Sequence, residues 1–117
     1  MSVVRNVLTI LLAFAMAATA CRKFLGDKAS LALRDTLLIP PRVWLVVGAL
    51  EGAAVLGLLS GFFAPPLAVA AATGVALTMV GAVLAHLRLH IAGRALTPPL
   101  TVFTFAVATA ASWLMTA

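Results

Sequence analysis

Glu51 is the residue whose surroundings most suggest chemistry, because it is the one charged residue in a long apolar run, residues 43–63. A charged side chain near the middle of a membrane costs about 3 kcal/mol or more unless a partner compensates it. An intramembrane carboxylate is therefore a functional-site candidate by default. A hydrogen-bond donor or a counter-charge is expected beside it.

Lys23 and His86 are the candidate partners, since each lies at the end of another apolar run, on the side where the run of Glu51 begins. Eight residues into its run, the carboxylate is about 12 Å from that end at 1.5 Å per residue. A lysine can extend its apolar stem toward such a site. Two interpretations stay open: the polar residues lock a bundle, or Glu51 and His86 act as an acid and base pair.

A metal site is a weaker interpretation of the same residues. His86 and His90 are four residues apart, a spacing that puts two ligands on one helix face. Zinc needs three or four ligands and only Glu51 offers a third, so we predict no metal site. Cys21 is the only cysteine, which excludes an internal disulfide and Cys-x-x-Cys chemistry. The sequence indicates no particular cofactor and leaves open whether the protein is an enzyme.

The elements that carry these residues have the composition of a membrane protein. Hydrophobic residues make up 64% of the 117 residues and charged residues 9%, whereas soluble domains have about 45–50% and about 25%. The mean hydropathy is +1.19. The net charge of +5 does not indicate nucleic-acid binding, because the basic residues lie between apolar runs and form no patch interleaved with aromatic residues. They fit the anionic headgroups of a lipid bilayer instead.

Three diproline pairs, at 40–41, 65–66 and 98–99, stand just before apolar runs. Proline is tolerated in the first turn of a helix and disfavours helical geometry in the preceding residue, so each pair marks a helix start. We predict an all-α membrane protein: one domain, residues 1–117, with four transmembrane helices in an antiparallel bundle. The predicted helices are about 3–21, 43–63, 67–88 and 99–117, with a charged connection over 22–42 and a tight hairpin over 60–66.

Small residues at four-residue spacing predict where the helices approach closely. The pairs Gly48 with Gly52 and Gly57 with Gly61 lie in the second run, and Gly81 with Ala85 lies in the third. They indicate that the second run, which carries Glu51, is central in the bundle.

The distribution of basic residues predicts the orientation. Of the eight lysines and arginines, five lie in residues 22–42 and two in residues 86–97, which places both connections in the cytoplasm and both termini outside. Arg5, in the N-terminal tail, argues mildly against this orientation. Arg22 and Lys23 directly after the first run form a stop-transfer flank, so we expect a retained helix rather than a cleaved signal peptide. We expect a multi-pass protein of a bacterial inner or plasma membrane.

Three segments, taken in order, resemble motifs of the DoxX-like family. Residues 21–26, CRKFLG, are similar to the Lys-Leu-x-Gly segment after the family's first helix, although Phe24 stands where leucine is usual. Residues 38–40, LIP, with residues 48–53, GALEGA, resemble its Pro and Gly-x-x-Glu element. Residues 79–88, MVGAVLAHLR, resemble its third helix, Met-x-Gly-Ala-x-x-x-His-x-Arg, although no acidic residue follows soon after Arg88.

The resemblance implies four membrane helices and marks Lys23, Glu51 and His86 as the family's polar positions; we add Arg88 to this predicted polar cluster. It also implies an association with quinone or thiosulfate oxidation, or with thiol-redox assemblies at the membrane. With a single cysteine, this chain would need a redox protein partner or a lipid quinone for such a role.

Two function classes follow. In the first, the protein is a membrane subunit or scaffold of a quinone- or thiol-linked redox assembly, and its polar cluster is structural. In the second, it is a small membrane enzyme that uses Glu51 and His86 on a lipophilic small molecule. The candidate partners are the bilayer, a quinone or other lipophilic molecule, a membrane or redox protein, and a second copy of the chain. A ligand-sized pocket would discriminate between the classes.

Overall fold

The computed structural model describes residues 2–116 and contains four long helices: α1 (Ser2–Leu25), α3 (Pro41–Ser60), α4 (Pro65–Arg88) and α5 (Thr97–Thr116). A shorter helix, α2 (Lys28–Thr36), lies between α1 and α3, and a 3-10 turn, Gly93–Leu96, precedes α5. All four long helices are long and apolar enough to cross a membrane. The prediction of an all-α membrane protein is thus confirmed.

The diproline pairs lie where the helices begin. Pro41 is the first residue of α3 and Pro65 the first of α4, and the third pair is in the first turn of α5. This placement follows from the fixed φ and the missing N–H of proline, which cost nothing in a first turn. The end of α1 differs from the predicted span, because α1 continues to Leu25, four residues past residue 21. Lys23 is therefore on the last helical turn.

The connection over 22–42 contains a helix that the sequence pattern did not reveal. Gly26 adopts φ +70°, the left-handed conformation that ends many helices. The Asp27 carboxylate then accepts a hydrogen bond from the Ser30 amide at 3.2 Å and caps the start of α2. Ser30 Oγ in turn accepts from Trp44 Nε1 at 3.0 Å, which ties α2 to the first turn of α3. The connection is thus an ordered cover over this end of the bundle.

The long helices form a ring in which each packs against two neighbours: α1 contacts α3 and α5, and α4 contacts α3 and α5. The apolar interior includes Leu12, Met16, Leu58 and Val75, all nearly fully buried. The end opposite α2 is closed by Trp113. Its Nε1 donates to Thr9 Oγ1 at 2.8 Å, and the Arg5 guanidinium lies 4.2 Å from its ring centroid. These contacts link α1 to α5 at this end of the bundle.

The small residues have unequal roles. A Cβ added to Gly57 would lie 2.8 Å from Ala71 Cβ, so that glycine lets α3 and α4 approach, as predicted. Gly48 does the same toward α1, with Lys23 Cβ 3.2 Å from such a Cβ. The expectation for Gly52 and Gly81 is wrong, because a Cβ at either would meet nothing within 4 Å. Four residues turn a helix by about 400°, so Gly52 is rotated by about 40° from the contact line of Gly48.

Candidate functional site

Glu51 lies near the middle of α3 with only 4% of its surface exposed. Two residues of the last turns of α1 hold its carboxylate. Lys23 Nζ lies 2.7 Å from Oε1, and Thr19 Oγ1 donates a hydrogen bond to Oε2 at 2.5 Å. Residues 19 and 23 face the same neighbour because they are one turn apart. Of the two candidate partners, Lys23 is the one in contact, and Thr19 is a second partner that was not predicted.

The two carboxylate oxygens are not equivalent. Oε2 accepts a hydrogen bond from a hydroxyl, whereas the partner of the buried Oε1 among the described residues is the Lys23 ammonium. At 2.7 Å, that ammonium is close enough to Oε1 to neutralise it. That ammonium also lies 4.6 Å from the ring centroid of Trp44, a cation–π distance. The carboxylate is therefore held by one charged partner and one hydroxyl partner.

A cavity of about 670 Å³ adjoins this ion pair; we call it the inner cavity. Its walls come from α1, α3, α4 and the start of α5, and the connection between α2 and α3 contributes Leu37 and Ile39. The lining is mostly apolar. The polar, charged or hydrogen-bonding side chains on the wall are Thr19, Lys23, Trp44, Glu51, Thr78, His86 and Arg88.

His86 is on the wall of the inner cavity and is buried, but it does not join the ion pair. Its Nδ1 lies 2.7 Å from the carbonyl oxygen of Ala82, one turn earlier on α4. A carbonyl oxygen only accepts, so this contact assigns the hydrogen to Nδ1 and leaves Nε2 as the acceptor of the neutral ring. Within residues 2–116, no hydrogen bond links His86 to Glu51 or to Lys23.

Arg88 also lies on the cavity wall without touching the carboxylate. Its Nη2 donates to the carbonyl oxygen of Leu37 at 2.6 Å, which joins the end of α4 to the connection that covers the cavity. The geometry thus joins Lys23 to Glu51 and places His86 and Arg88 around the same space. A connected cluster of all four residues stays a prediction that requires a bridging molecule.

The expectation that His86 and His90 share a helix face is wrong. α4 ends at Arg88, and His90 has φ +59°, so the ring of His90 does not continue the face of His86. Across the described part of the chain, no three His, Cys, Asp or Glu side chains come together.

Thr19 was missed although its position carries a signal. A hydroxyl four residues before Lys23 lies on the same helix face, and it reaches a carboxylate that the lysine also reaches. The inner cavity itself has no comparable signature, because it depends on the relative positions of four helices. The covering role of Arg88 depends on a backbone carbonyl, which no sequence motif marks.

The model of the DoxX-like family matches residues 7–109, which is most of the chain and includes Lys23, Glu51 and His86. No curated protein and no solved structure matches the chain significantly.

Proposed function

The chain belongs to the DoxX-like family, and on that premise we propose that it is a membrane subunit of a redox assembly that binds a lipophilic small molecule, specifically a quinone, in the inner cavity. The observation that carries the proposal is the buried Lys23–Glu51 pair on the wall of a cavity of about 670 Å³. Small-molecule sites measure about 300–1,000 Å³ and combine an apolar lining with a few convergent polar groups.

The polar groups suggest the chemistry of the ligand's headgroup. Lys23 supplies an ammonium that donates, Glu51 supplies a carboxylate that accepts, and His86 Nε2 is an acceptor that has no donor among the described residues. A quinone has a carbonyl oxygen at each end of its ring, which would accept a hydrogen bond from the ammonium. Its quinol has a hydroxyl at each end, which would donate to the carboxylate or to Nε2. The arrangement would therefore suit both redox forms of the ring. The surroundings are apolar and within membrane-spanning helices, so the ligand would be lipophilic.

The assignment to a redox assembly rests on the family and on what this chain lacks. Its single cysteine, Cys21, is exposed and provides no dithiol, so electrons would pass between the bound quinone and a redox protein partner. A second copy of the chain stays a further proposed partner. We also propose a bacterial plasma membrane with the end that carries α2 in the cytoplasm, because that end carries most of the basic residues.

Acid–base catalysis on a lipophilic substrate is the second candidate. It is favoured by the presence of Glu51 and His86 on one cavity wall with no contact between them, so that a substrate between them would reach both. Glu51→Gln keeps the shape and removes the base. If this variant still binds the substrate but no longer converts it, the result would favour the enzymatic function over the role as a redox subunit.

Tryptophan fluorescence offers the test of quinone binding. The chain has two tryptophans; Trp44 lines the inner cavity, and Trp113 lies at the other end of the bundle. In Trp113→Phe protein in lipid nanodiscs, a benzoquinone without a tail should quench Trp44 saturably. The Lys23→Met, Glu51→Gln double variant should bind it at least about tenfold more weakly, the effect of about 1.4 kcal/mol.

The matched control is Trp44→Phe protein, in which Trp113 reports the opposite end and should show only linear, collisional quenching. Linear quenching of Trp44, equal to that of Trp113, would contradict the proposed binding site.

A further inference from the structure

A second cavity, of about 500 Å³, lies between α3 and α4; we call it the lateral groove. Its outer rim carries Leu50, Leu67 and Leu77, each about half exposed or more on the membrane-facing side. Met16, Leu50, Glu51 and Thr78 line both the lateral groove and the inner cavity. The two spaces are therefore neighbours with Glu51 at their boundary.

We infer that the lateral groove holds the apolar tail of the molecule whose headgroup lies in the inner cavity, and that this molecule enters sideways from the bilayer between α3 and α4. The inference rests on the proposed function, and it specifies the ligand class as a ring headgroup with a long apolar tail. An occupant confined to the inner cavity would not need the groove.

The groove is open because its lining is small. Ala53, Ala70 and Gly74 leave room for a chain-like ligand, and a Cβ added to Gly74 would meet nothing within 4 Å. At Gly57, which also lines the groove, the two helices are much closer, because a Cβ added there would lie 2.8 Å from Ala71 Cβ. Helices α3 and α4 are thus separated near Gly74 and in close contact near Gly57.

Glu51 distinguishes this groove from an ordinary lipid-facing furrow. Its side chain is ion-paired with Lys23 and lines both the groove and the inner cavity, so a polar headgroup is expected at the inner end of the apolar occupant. Glu51 is ten residues from the start of α3, about 15 Å along the helix. A phospholipid has its headgroup at the membrane surface and would bring only an acyl chain to this depth. A molecule with a ring headgroup that enters the membrane satisfies both observations.

Hydrophobicity does not favour the groove over the bilayer, because lipid is as apolar as the groove. The tail would bind because its shape fits the groove. A substitution that fills the groove with a larger side chain should therefore weaken binding of the tail specifically. We therefore propose Gly74→Leu as the test variant and Gly52→Leu as its matched control. Both glycines have open space at Cβ, whereas only Gly74 lines the groove.

The probes are one benzoquinone with a decyl chain and the same ring without it, titrated against Trp44 fluorescence in nanodiscs. We expect the ratio of the two affinities, long-tailed to tail-less, to fall at least about tenfold in Gly74→Leu and to keep its wild-type value in Gly52→Leu. An unchanged ratio in Gly74→Leu would overturn the inference and leave the headgroup site standing. Failure of both probes to bind wild-type protein would instead refute the proposed function.

A second measurement covers the case in which Gly74→Leu does not fold. A photoreactive diazirine at the end of the decyl chain, activated in wild-type protein, should label residues of 53–57 and 67–77, which face the groove. Labelling spread evenly over the lipid-facing sides of α1 and α5 would refute lateral binding, whatever the affinities.

Discussion

Removal of the Lys23 charge is the perturbation whose outcome the structure defines best. The side chains of Lys23 and Glu51 are 10% and 4% exposed, so the pair is withdrawn from water and weakly screened. Lys23→Met keeps the apolar stem that packs beside Gly48 and removes only the ammonium. It leaves a buried carboxylate whose remaining partner is Thr19. Loss of one member of a buried pair costs about 3–5 kcal/mol of the free energy of unfolding.

The double variant Lys23→Met, Glu51→Gln should recover most of that loss. It removes both charges, and the amide oxygen can still accept the hydrogen bond from Thr19 Oγ1. We expect it to lie within about 1.5 kcal/mol of the wild type, since replacing both members of a buried pair is often nearly neutral. Adding Glu51→Gln should therefore restore at least about 1.5–3.5 kcal/mol of the stability that Lys23→Met loses.

The assay is reversible unfolding in mixed micelles with increasing dodecyl sulfate, followed by tryptophan fluorescence. Lys28→Met is the matched control, because Lys28 is an exposed lysine of α2, and it should change the free energy by less than about 0.5 kcal/mol. If Lys23→Met is as stable as Lys28→Met, the ion pair is not buried in the folded protein. If the double variant is as unstable as Lys23→Met, the loss comes from packing and the electrostatic reasoning is wrong.

Two further predictions test packing and orientation. Gly48→Leu should lower stability by about 1–3 kcal/mol through overpacking against α1, whereas Gly52→Leu should change it by less than about 0.5 kcal/mol; equal melting temperatures in detergent would contradict the helix contact at Gly48. In a Cys21→Ala background, an impermeant thiol reagent applied to intact cells should label a cysteine introduced at Ala64 and not one at Ala32, since the α2 end is predicted to be cytoplasmic. Labelling at Ala32 with protection at Ala64 would reverse the orientation.

The helices and the membrane class could be predicted from sequence because their causes are local. A proline pair fixes a helix start within its own turn, and an apolar stretch of about 20 residues spans a membrane whatever its neighbours are. The need for a partner at Glu51 is likewise a property of one residue in its run. The helix α2 escaped prediction because its residues 28–36 are mostly polar or exposed, and their order depends on the Asp27 cap and on the Ser30–Trp44 hydrogen bond.

Only the tertiary structure decided which partner meets Glu51. Lys23, Thr19 and His86 are all near the right depth, yet the carboxylate contacts the two residues of α1 and not the histidine of α4. The choice depends on the continuation of α1 past residue 21 and on the close approach that Gly48 permits. The depth of a residue in the membrane follows from its position along the helix. The neighbour that its side chain faces depends on the rotation of about 100° per residue and on the packing of all four helices together. The inner cavity and the lateral groove are the spaces left by that packing, which no single segment of the sequence specifies.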